Sequence, residues 1–534
     1  MSFYVTTPIY YVNAAPHLGH AYTTIAADVM ARHHRQRGED VFFLTGTDEH
    51  GEPVADAAHA LGIEPQQLAD RNAQRFKALA PKLAATNDFF IRTTDPQHEA
   101  VVQEVLSRVR ENGYVYEGTY EGWYCPRCAD FKAENEIDED RRCPIHHIEL
   151  TREQEDNYFF KLSAFQQRLE TLYVEHQDFV APRTRYNEAL SFIRSGLRDV
   201  PLTRHKLTWG VQVPWDHEHV FYVWFDALLN YYSALSYAPV PESESASASV
   251  PESESESESE SASGSAVAPG APAGGDLTER MWPASYHLIG KDILRFHAVY
   301  WPALLMAAEL ELPEHVFVHG FLLMDGEKMS KSLGNVLDPF EVIERYGPDA
   351  LRFYLLRDVP FGQDGSVSTA SFALRYESEL ANELGNLASR TIAMVHRYRH
   401  GTPPAVALDA ELDSDFVGLA QDIESMIDSA ELTAALDAIW QRVRRLNRYV
   451  EERAPWQLAK DDARADELDR VLATLIAGLR VLAVLLHPYM PASTDKLLDA
   501  LGCRNRSLAC ARWDSAEALG KPIAALESLF PKSA

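Results

Sequence analysis

Cys125-x2-Cys128-x14-Cys143-x2-His146 sets two donor pairs on either side of a loop, the spacing that tetrahedral zinc takes. Three of the five cysteines crowd into this stretch while Cys503 and Cys510 lie far away, which favours a metal over disulfides. His147 follows directly, but His146 fits the spacing better as the fourth ligand. The site reads as structural, because no neighbouring acid–base pair suggests a catalytic zinc. A second group, Pro16-His17-Leu18-Gly19-His20, stands where a strand-like run hands over to a helical one. Two histidines three apart on a first helical turn lie beside backbone N–H groups that attract anions, and each ring can donate to a phosphate oxygen. Gly19 lets a flat base approach the backbone. Taken alone, the pair suits capping or surface positions equally well. A third group, from Asp325 to Asn335, puts Lys328, Ser330, Lys331 and Ser332 in a glycine-bounded loop. That is a cationic clamp for the charge on a transferring phosphate.

Elements must hold these groups in place. Phe3–Val12 is β-rich, Pro16 and Gly19 break it, Ala21–Gln36 has helical periodicity up to Gly38, and Asp40–Thr47 is again strand-like. Strand, turn, helix, strand opens a doubly wound parallel α/β sheet, whose ligand crevice lies at the carboxyl ends of the strands. The pattern divides the chain into a first half of that core (1–112), an inserted unit carrying the cysteines (113–213) and a second half (214–324). A connecting module with the lysine loop (325–370) and a bundle of amphipathic helices (371–534) complete it. Within the second half, 239–276 consists of Ser-Glu repeats followed by Ala, Pro and Gly, and reads as a disordered loop.

A chain of 534 residues, 46% hydrophobic and 24% charged, reads as globular with two to four folding units. The apolar run Leu475–Leu486, interrupted by Arg480, is too short to span a bilayer. Met1–Tyr11 lacks the basic start of a secretory signal, so a cytoplasmic protein is expected. The formal charge of -29 argues against nucleic acid only naively: part of the acid is concentrated in Glu242–Asp276, and basic residues cluster at Arg183/Arg185/Arg194/Arg198 and Arg442/Arg444/Arg445/Arg448.

The two phosphate-binding groups together, in this order around an α/β sheet, resemble the HIGH and KMSKS motifs of class I aminoacyl-tRNA synthetases, with Leu18 in place of isoleucine. That resemblance implies that His17 and His20 meet the ATP phosphates and that Lys331 stabilises the transition state of adenylate formation. Gly19, Gly290, Asp292, Lys328 and Ser330 would complete the nucleotide site.

Four further stretches, Thr7–Asn13, Thr45–Gly51, Tyr222–Ala227 and His287–His297, are similar to methionyl-tRNA synthetases, and the similarity covers nearly the whole chain except the Ser-Glu stretch. It implies a Rossmann-like catalytic core with a zinc-bearing insertion and an α-helical anticodon domain. It places Ile9, Tyr11, Trp224, Ala227, Leu228, Tyr231, Ile293, His297 and Trp301 around a methionine side chain and Asp48 on its ammonium group. Aromatic walls suit a polarisable thioether, whose sulfur the Tyr11 hydroxyl or a His297 N–H could mark. Asn386 and Arg390, four apart on one helix face, and Trp456, behind Pro455 at a helix start, would read the CAU anticodon by edge hydrogen bonds and stacking. Without the resemblance, a capping Asn and a core Trp explain them as well.

The implied reaction is activation of methionine by ATP with Mg2+, then transfer to elongator and initiator methionine tRNA, in a protein holding one structural Zn2+. One methylene is worth only ~1–3 kcal/mol in an apolar pocket, so excluding homocysteine should need correction. The insertion is too small for the editing domains of the isoleucine, leucine and valine enzymes. Two rivals are another class I synthetase, such as that for cysteine, and a non-catalytic RNA-binding protein on the same scaffold. With no further module after the helices of the kind that dimerises some family members, a monomer is expected.

Overall fold

β-Branched and aromatic residues dominate the segments that become strands: β1 (Ser2–Tyr11), β2 (Asp40–Asp48), β3 (Phe89–Arg92), β4 (Val180–Ala181), β5 (Tyr286–Gly290) and β6 (His315–His319). The computed structural model describes residues 2–125, 130–132, 137, 140–143, 148–239, 276–324, 327–328 and 339–531. It joins the six strands in one sheet, in the order β3-β2-β1-β5-β6-β4, with every pair parallel. The strand order reverses between β1 and β5, which opens a crevice beyond their carboxyl ends.

Helix α1 (Leu18–Gln36) returns the chain from β1 to β2 and is buried from Ala21 through Ala31, because the sheet covers one side and C-terminal helices the other. Its Asp28 is fully buried: burial alone would raise the carboxyl pKa, but the guanidinium groups of Arg352 and Arg32 and the Thr86 hydroxyl draw it below the usual range. Arg352 also donates to the carbonyl oxygens of Leu83, Pro488 and Tyr489, so this ion pair bolts α1 to the helices beyond.

The expected inserted unit, 113–213, is not one body. Val115–Cys125 and Thr151–Phe160 pair antiparallel, flanked by Asp130–Lys132 and Val200–Pro201, in a separate four-stranded sheet. Yet β4, inside the same stretch of sequence, is the edge of the main sheet beside β6. The helices Gln166–Glu175 and Arg183–Arg194 around it bury Leu169, Tyr173, Tyr186 and Ile193 in the catalytic core. Two residues are too few to show the alternation by which a strand is recognised.

From Thr369 onward the chain is helical, as expected. Leu432–Arg453 buries Leu432, Leu436, Ile439, Trp440, Val443, Leu446 and Val450, the three- and four-residue spacing of a one-sided helix. The bundle does not keep a core of its own: one cluster runs from Phe3 and Ile25 through Phe353 to Trp440 and Leu482. Among the described residues no helix is long and apolar enough to cross a membrane. Of the Ser-Glu stretch, 239–276, residues 240–275 lie outside the described residues.

Candidate active site

The pairing of β1 with β2 shifts register between Thr6 and Ile9, around Thr7-Pro8, where proline has no N–H to give the ladder. The break turns Ile9, Tyr10 and Tyr11 into the crevice, which encloses a cavity of about 350 Å³. Nine of the ten residues expected around methionine line it: Ile9, Tyr11, Asp48, Trp224, Ala227, Leu228, Tyr231, Ile293 and His297. His17, Gly19, His20, Gly290 and Asp292 line it as well. Trp301 is a correction. It is fully buried behind the wall, its ring 6.0 Å from that of Tyr231, and its Nε1–H donates to His287 Nε2 at 3.2 Å. Lys328 pairs with Leu323 through its backbone, while Ser330 and Lys331 lie outside the described residues.

One end of the cavity is aromatic and dry. Trp224 stacks on Phe296 with ring centres 3.7 Å apart and meets Tyr11 edge-on at 6.1 Å. Phe296–Tyr300 forms a widened helical turn, with i→i+5 hydrogen bonding, that carries His297. His297 Nδ1 donates to the Ile293 carbonyl at 3.1 Å, so in the neutral ring Nε2 accepts the Tyr231 hydroxyl at 2.7 Å. Burial lowers the His297 pKa to about 4, which keeps the ring in that form. Both groups are therefore spent on each other and on the backbone, and the only N–H of His297 is turned to Ile293. Three buried atoms nearby are not: the Tyr11 hydroxyl, Asp48 Oδ1 and Trp224 Nε1 find no hydrogen-bond partner among the described residues. Burial, and then the negative Asp226 close by, raises the Asp48 carboxyl well above its ordinary value.

The other end is built on the start of α1. His17 caps the helix: its Nδ1 accepts the Gly19 N–H at 3.1 Å, and His20 Nδ1 accepts the His17 N–H at 3.0 Å. The capping role open to this pair is thus real, and it has a chemical consequence. A neutral imidazole that accepts at Nδ1 carries its proton on Nε2, so both rings keep an N–H donor away from the helix. Burial, with the His17 ring beside it, holds the His20 pKa well below the usual histidine value. A Cβ on Gly290 would stand 2.6 Å from Asp292 Oδ1, so a side chain there would have to displace the Asp292 carboxylate. Sequence reasoning missed Thr23 and His319, which also line this end. His319 donates from Nδ1 to the Gly320 carbonyl at 2.9 Å, and its Nε2 accepts the Thr23 hydroxyl at 2.8 Å. No motif marks either residue.

This geometry can be set beside known proteins. Residues 3–155, 139–258 and 276–392 match the family model described as tRNA synthetases class I (M), and 402–533 match the anticodon binding domain of methionyl tRNA ligase. The chain is 42% identical over 505 residues to a methionine–tRNA ligase of Caldanaerobacter subterraneus subsp. tengcongensis, covering 94% of this chain and 74% of that protein. The chain belongs to the methionyl-tRNA synthetase family. A chloroplastic/mitochondrial methionine–tRNA ligase of Arabidopsis thaliana is 43% identical over 509 residues, 94% of this chain and 77% of its own length. Methionyl-tRNA synthetase of Mycobacterium tuberculosis, solved in complex with methionyl-adenylate, superposes with a TM-score of 0.88 at 40% identity, covering 99% of this chain and all of that one. The family's activity is the ATP-dependent activation of methionine and its attachment to tRNA.

In this methionyl-tRNA synthetase family member Asn386, Arg390, Trp456, Cys125 and Cys143 are not among the residues that line the cavity. Asn386 is exposed at the start of Asn386–Arg399, a helix that follows another widened turn, Tyr376–Gly385. Four residues on, Arg390 pairs with Glu451 at 2.9 Å and lies 5.6 Å from the ring of Trp456, so these two come together. Trp456 follows Pro455 in the first turn of the short helix Pro455–Leu458, which a left-handed Ala454 (φ 42°) separates from the helix before it. At the tip of the small antiparallel sheet, Cys125 and Cys143 are buried with Leu150 among the described residues, and Trp123, Ile137 and Ile148 pack against them. Cys128 and His146 lie outside the described residues, and among the described residues no three metal-ligating side chains come together.

Proposed function

We propose that this chain activates L-methionine with ATP to methionyl-adenylate, releasing pyrophosphate, and transfers the methionyl group to elongator and initiator methionine tRNA through residues of the cavity just described. One observation carries the assignment of residues: Asp48, Tyr11 and Trp224, whose Oδ1, hydroxyl and Nε1 are buried without a normal hydrogen bond among the described residues, line one aromatic cavity together with the N-terminus of α1. A buried carboxylate without a cation is costly, and an amino-acid ammonium group supplies one. Ile9, Trp224, Ala227, Leu228, Tyr231, Ile293 and His297 enclose the thioether, with Trp301 bracing them from behind. With the His297 N–H already spent on Ile293, the Tyr11 hydroxyl is the group that marks the sulfur.

The methionine carboxylate oxygen attacks the α-phosphorus in line and pyrophosphate leaves, so the protein contributes orientation and charge rather than a nucleophile. His17 and His20 donate from Nε2 to phosphate oxygens, Gly19, Gly290 and Asp292 hold the nucleoside, and Lys328, Ser330 and Lys331 answer the charge that builds on the phosphates. Mg2+ accompanies the ATP.

Cys125, Cys128, Cys143 and His146 would hold one structural Zn2+. What supports the fit is that Cys125 and Cys143, both thiols of the kind zinc takes, are buried in one cluster at that tip. Metal analysis of the purified protein checks it. Asn386, Arg390 and Trp456 read the anticodon, a role that the contact between Arg390 and Trp456 supports and that charging of anticodon-variant tRNAs checks. Of the expected segments, 371–534 then reads tRNA, while 1–112, 214–324 and the lysine loop in 325–370 supply the chemistry. The same reading makes the protein a cytoplasmic monomer, which fractionation and sedimentation test.

The deciding experiment is amino-acid-dependent ATP–pyrophosphate exchange across all twenty amino acids, with Lys331→Ala as control. Exchange with methionine alone, lost in the variant, is the expected result. Exchange with a different amino acid would overturn the pocket assignment, and no exchange by folded, zinc-loaded protein would overturn the activity.

A further inference from the structure

Asp226 sits on the helix Val223–Leu228 among three residues that line the cavity, Trp224, Ala227 and Leu228, but its carboxylate is turned the other way and fully buried. Oδ2 accepts Nδ1–H of His50 at 2.8 Å, and Oδ1 accepts Nε2–H of His98 at 2.8 Å. Nδ1 of His98 lies 2.7 Å from Ser233 Oγ. One buried chain of polar groups therefore ties together the turn after β2, where His50 follows Asp48 at the strand's end, the helix that presents Trp224, and the helix Asn230–Tyr237, which presents Tyr231. Its His98 anchors all three to the helix Pro96–Glu111. Gly51 permits the closeness: its φ is +92°, and a Cβ there would stand 3.3 Å from the Val223 side chain.

Apolar packing alone could hold these elements together, and burying a carboxylate is costly even when it is paired. Hydrogen bonds to both carboxylate oxygens add direction, which packing lacks. Both imidazoles donate to Asp226 and hold its pKa at about 2 against the opposing effect of burial, so its charge persists beside the pocket.

We propose that the buried array His50–Asp226–His98, with Ser233 at its end, fixes the positions of Asp48, Trp224 and Tyr231 and adds a second negative charge behind the ammonium site. Its members are positioning residues, and the proposal rests on reading the cavity as the amino-acid site. The test is direct binding of L-methionine, by calorimetry, to the wild-type protein and to Asp226→Asn, His98→Gln and Ser233→Ala, with the KM for ATP measured in pyrophosphate exchange. Asp226→Asn keeps the shape and should weaken methionine binding about tenfold while leaving the KM for ATP unchanged. Ser233→Ala, at the last link, should weaken it about threefold.

Folded Asp226→Asn that binds methionine like the wild type would overturn the proposal, as would equal losses for methionine and ATP, the mark of a merely structural role. Should Asp226→Asn not fold, His98→Gln and Ser233→Ala decide by the same split. Wild-type protein that does not bind methionine would instead sink the reading of the cavity, and this proposal with it.

Discussion

The two ends of the cavity recognise their ligand groups by opposite means. The aromatic end offers side chains that are already dry and braced: Trp224 against Phe296, Tyr231 against His297, and Asp226 between His50 and His98. The end at α1 offers backbone and helix terminus, with two histidines whose Nδ1 atoms are committed to capping. A group desolvated in advance discriminates through what it leaves unpaired when the wrong ligand binds, whereas a helix start with oriented donors stabilises charge of whatever origin. On the proposed reading, specificity and catalysis occupy separate ends of one crevice, and each should be open to damage alone.

The largest separation should come from Asp48→Asn. It removes the buried charge that faces the ammonium group and should lower kcat/KM for methionine about a thousandfold, close to 4 kcal/mol, in pyrophosphate exchange. The KM for ATP should stay where it was. Equal loss for both substrates would mean that the two ends are one site energetically. Next comes His20→Asn, in which the amide oxygen can replace Nδ1 as acceptor of the His17 N–H while the donor on Nε2 is lost. About a hundredfold fall in kcat is expected, with methionine binding by calorimetry unchanged. A fall in methionine affinity there would contradict the division.

This division was only partly legible in the sequence. His17 and His20 stand out by type and spacing once the lysine loop is read beside them, whereas Asp48 and the pocket wall could be named in advance only through the resemblance to the family. What braces them could not. His50 and Asp226 are separated by 176 residues and His98 and Asp226 by 128, and a buried histidine looks the same in sequence whether it packs or positions. The widened turn that carries His297 leaves no compositional trace, since it changes hydrogen bonding rather than apolar period. Trp301 is implied for the wall by the resemblance alone; it follows directly on the widened turn Phe296–Tyr300 and is buried behind the wall. β4 escaped for want of length, and with it the return of the chain from the small sheet to the main one.

The pH dependence is the most specific to the comparison, because only one of the two ends should respond to pH. In the empty pocket burial raises the Asp48 pKa well above its ordinary value, so the carboxyl takes up a proton at a pH where an exposed aspartate would remain charged. The ammonium group of methionine needs the charged form. As pH falls through that raised value, binding must first expel the proton, and affinity for methionine should fall by as much as about tenfold per pH unit. The phosphate end is poised the other way: burial lowers the His20 pKa well below the ordinary value, so its ring stays neutral and its capping bond and donor survive the same descent. Between pH 7.5 and 5 the KM for methionine should therefore climb while the KM for ATP stays level, and Asp48→Asn should flatten the methionine profile by removing the titrating group. Parallel rises for both substrates would show that one shared group governs the crevice, and the separation of its two ends would fail.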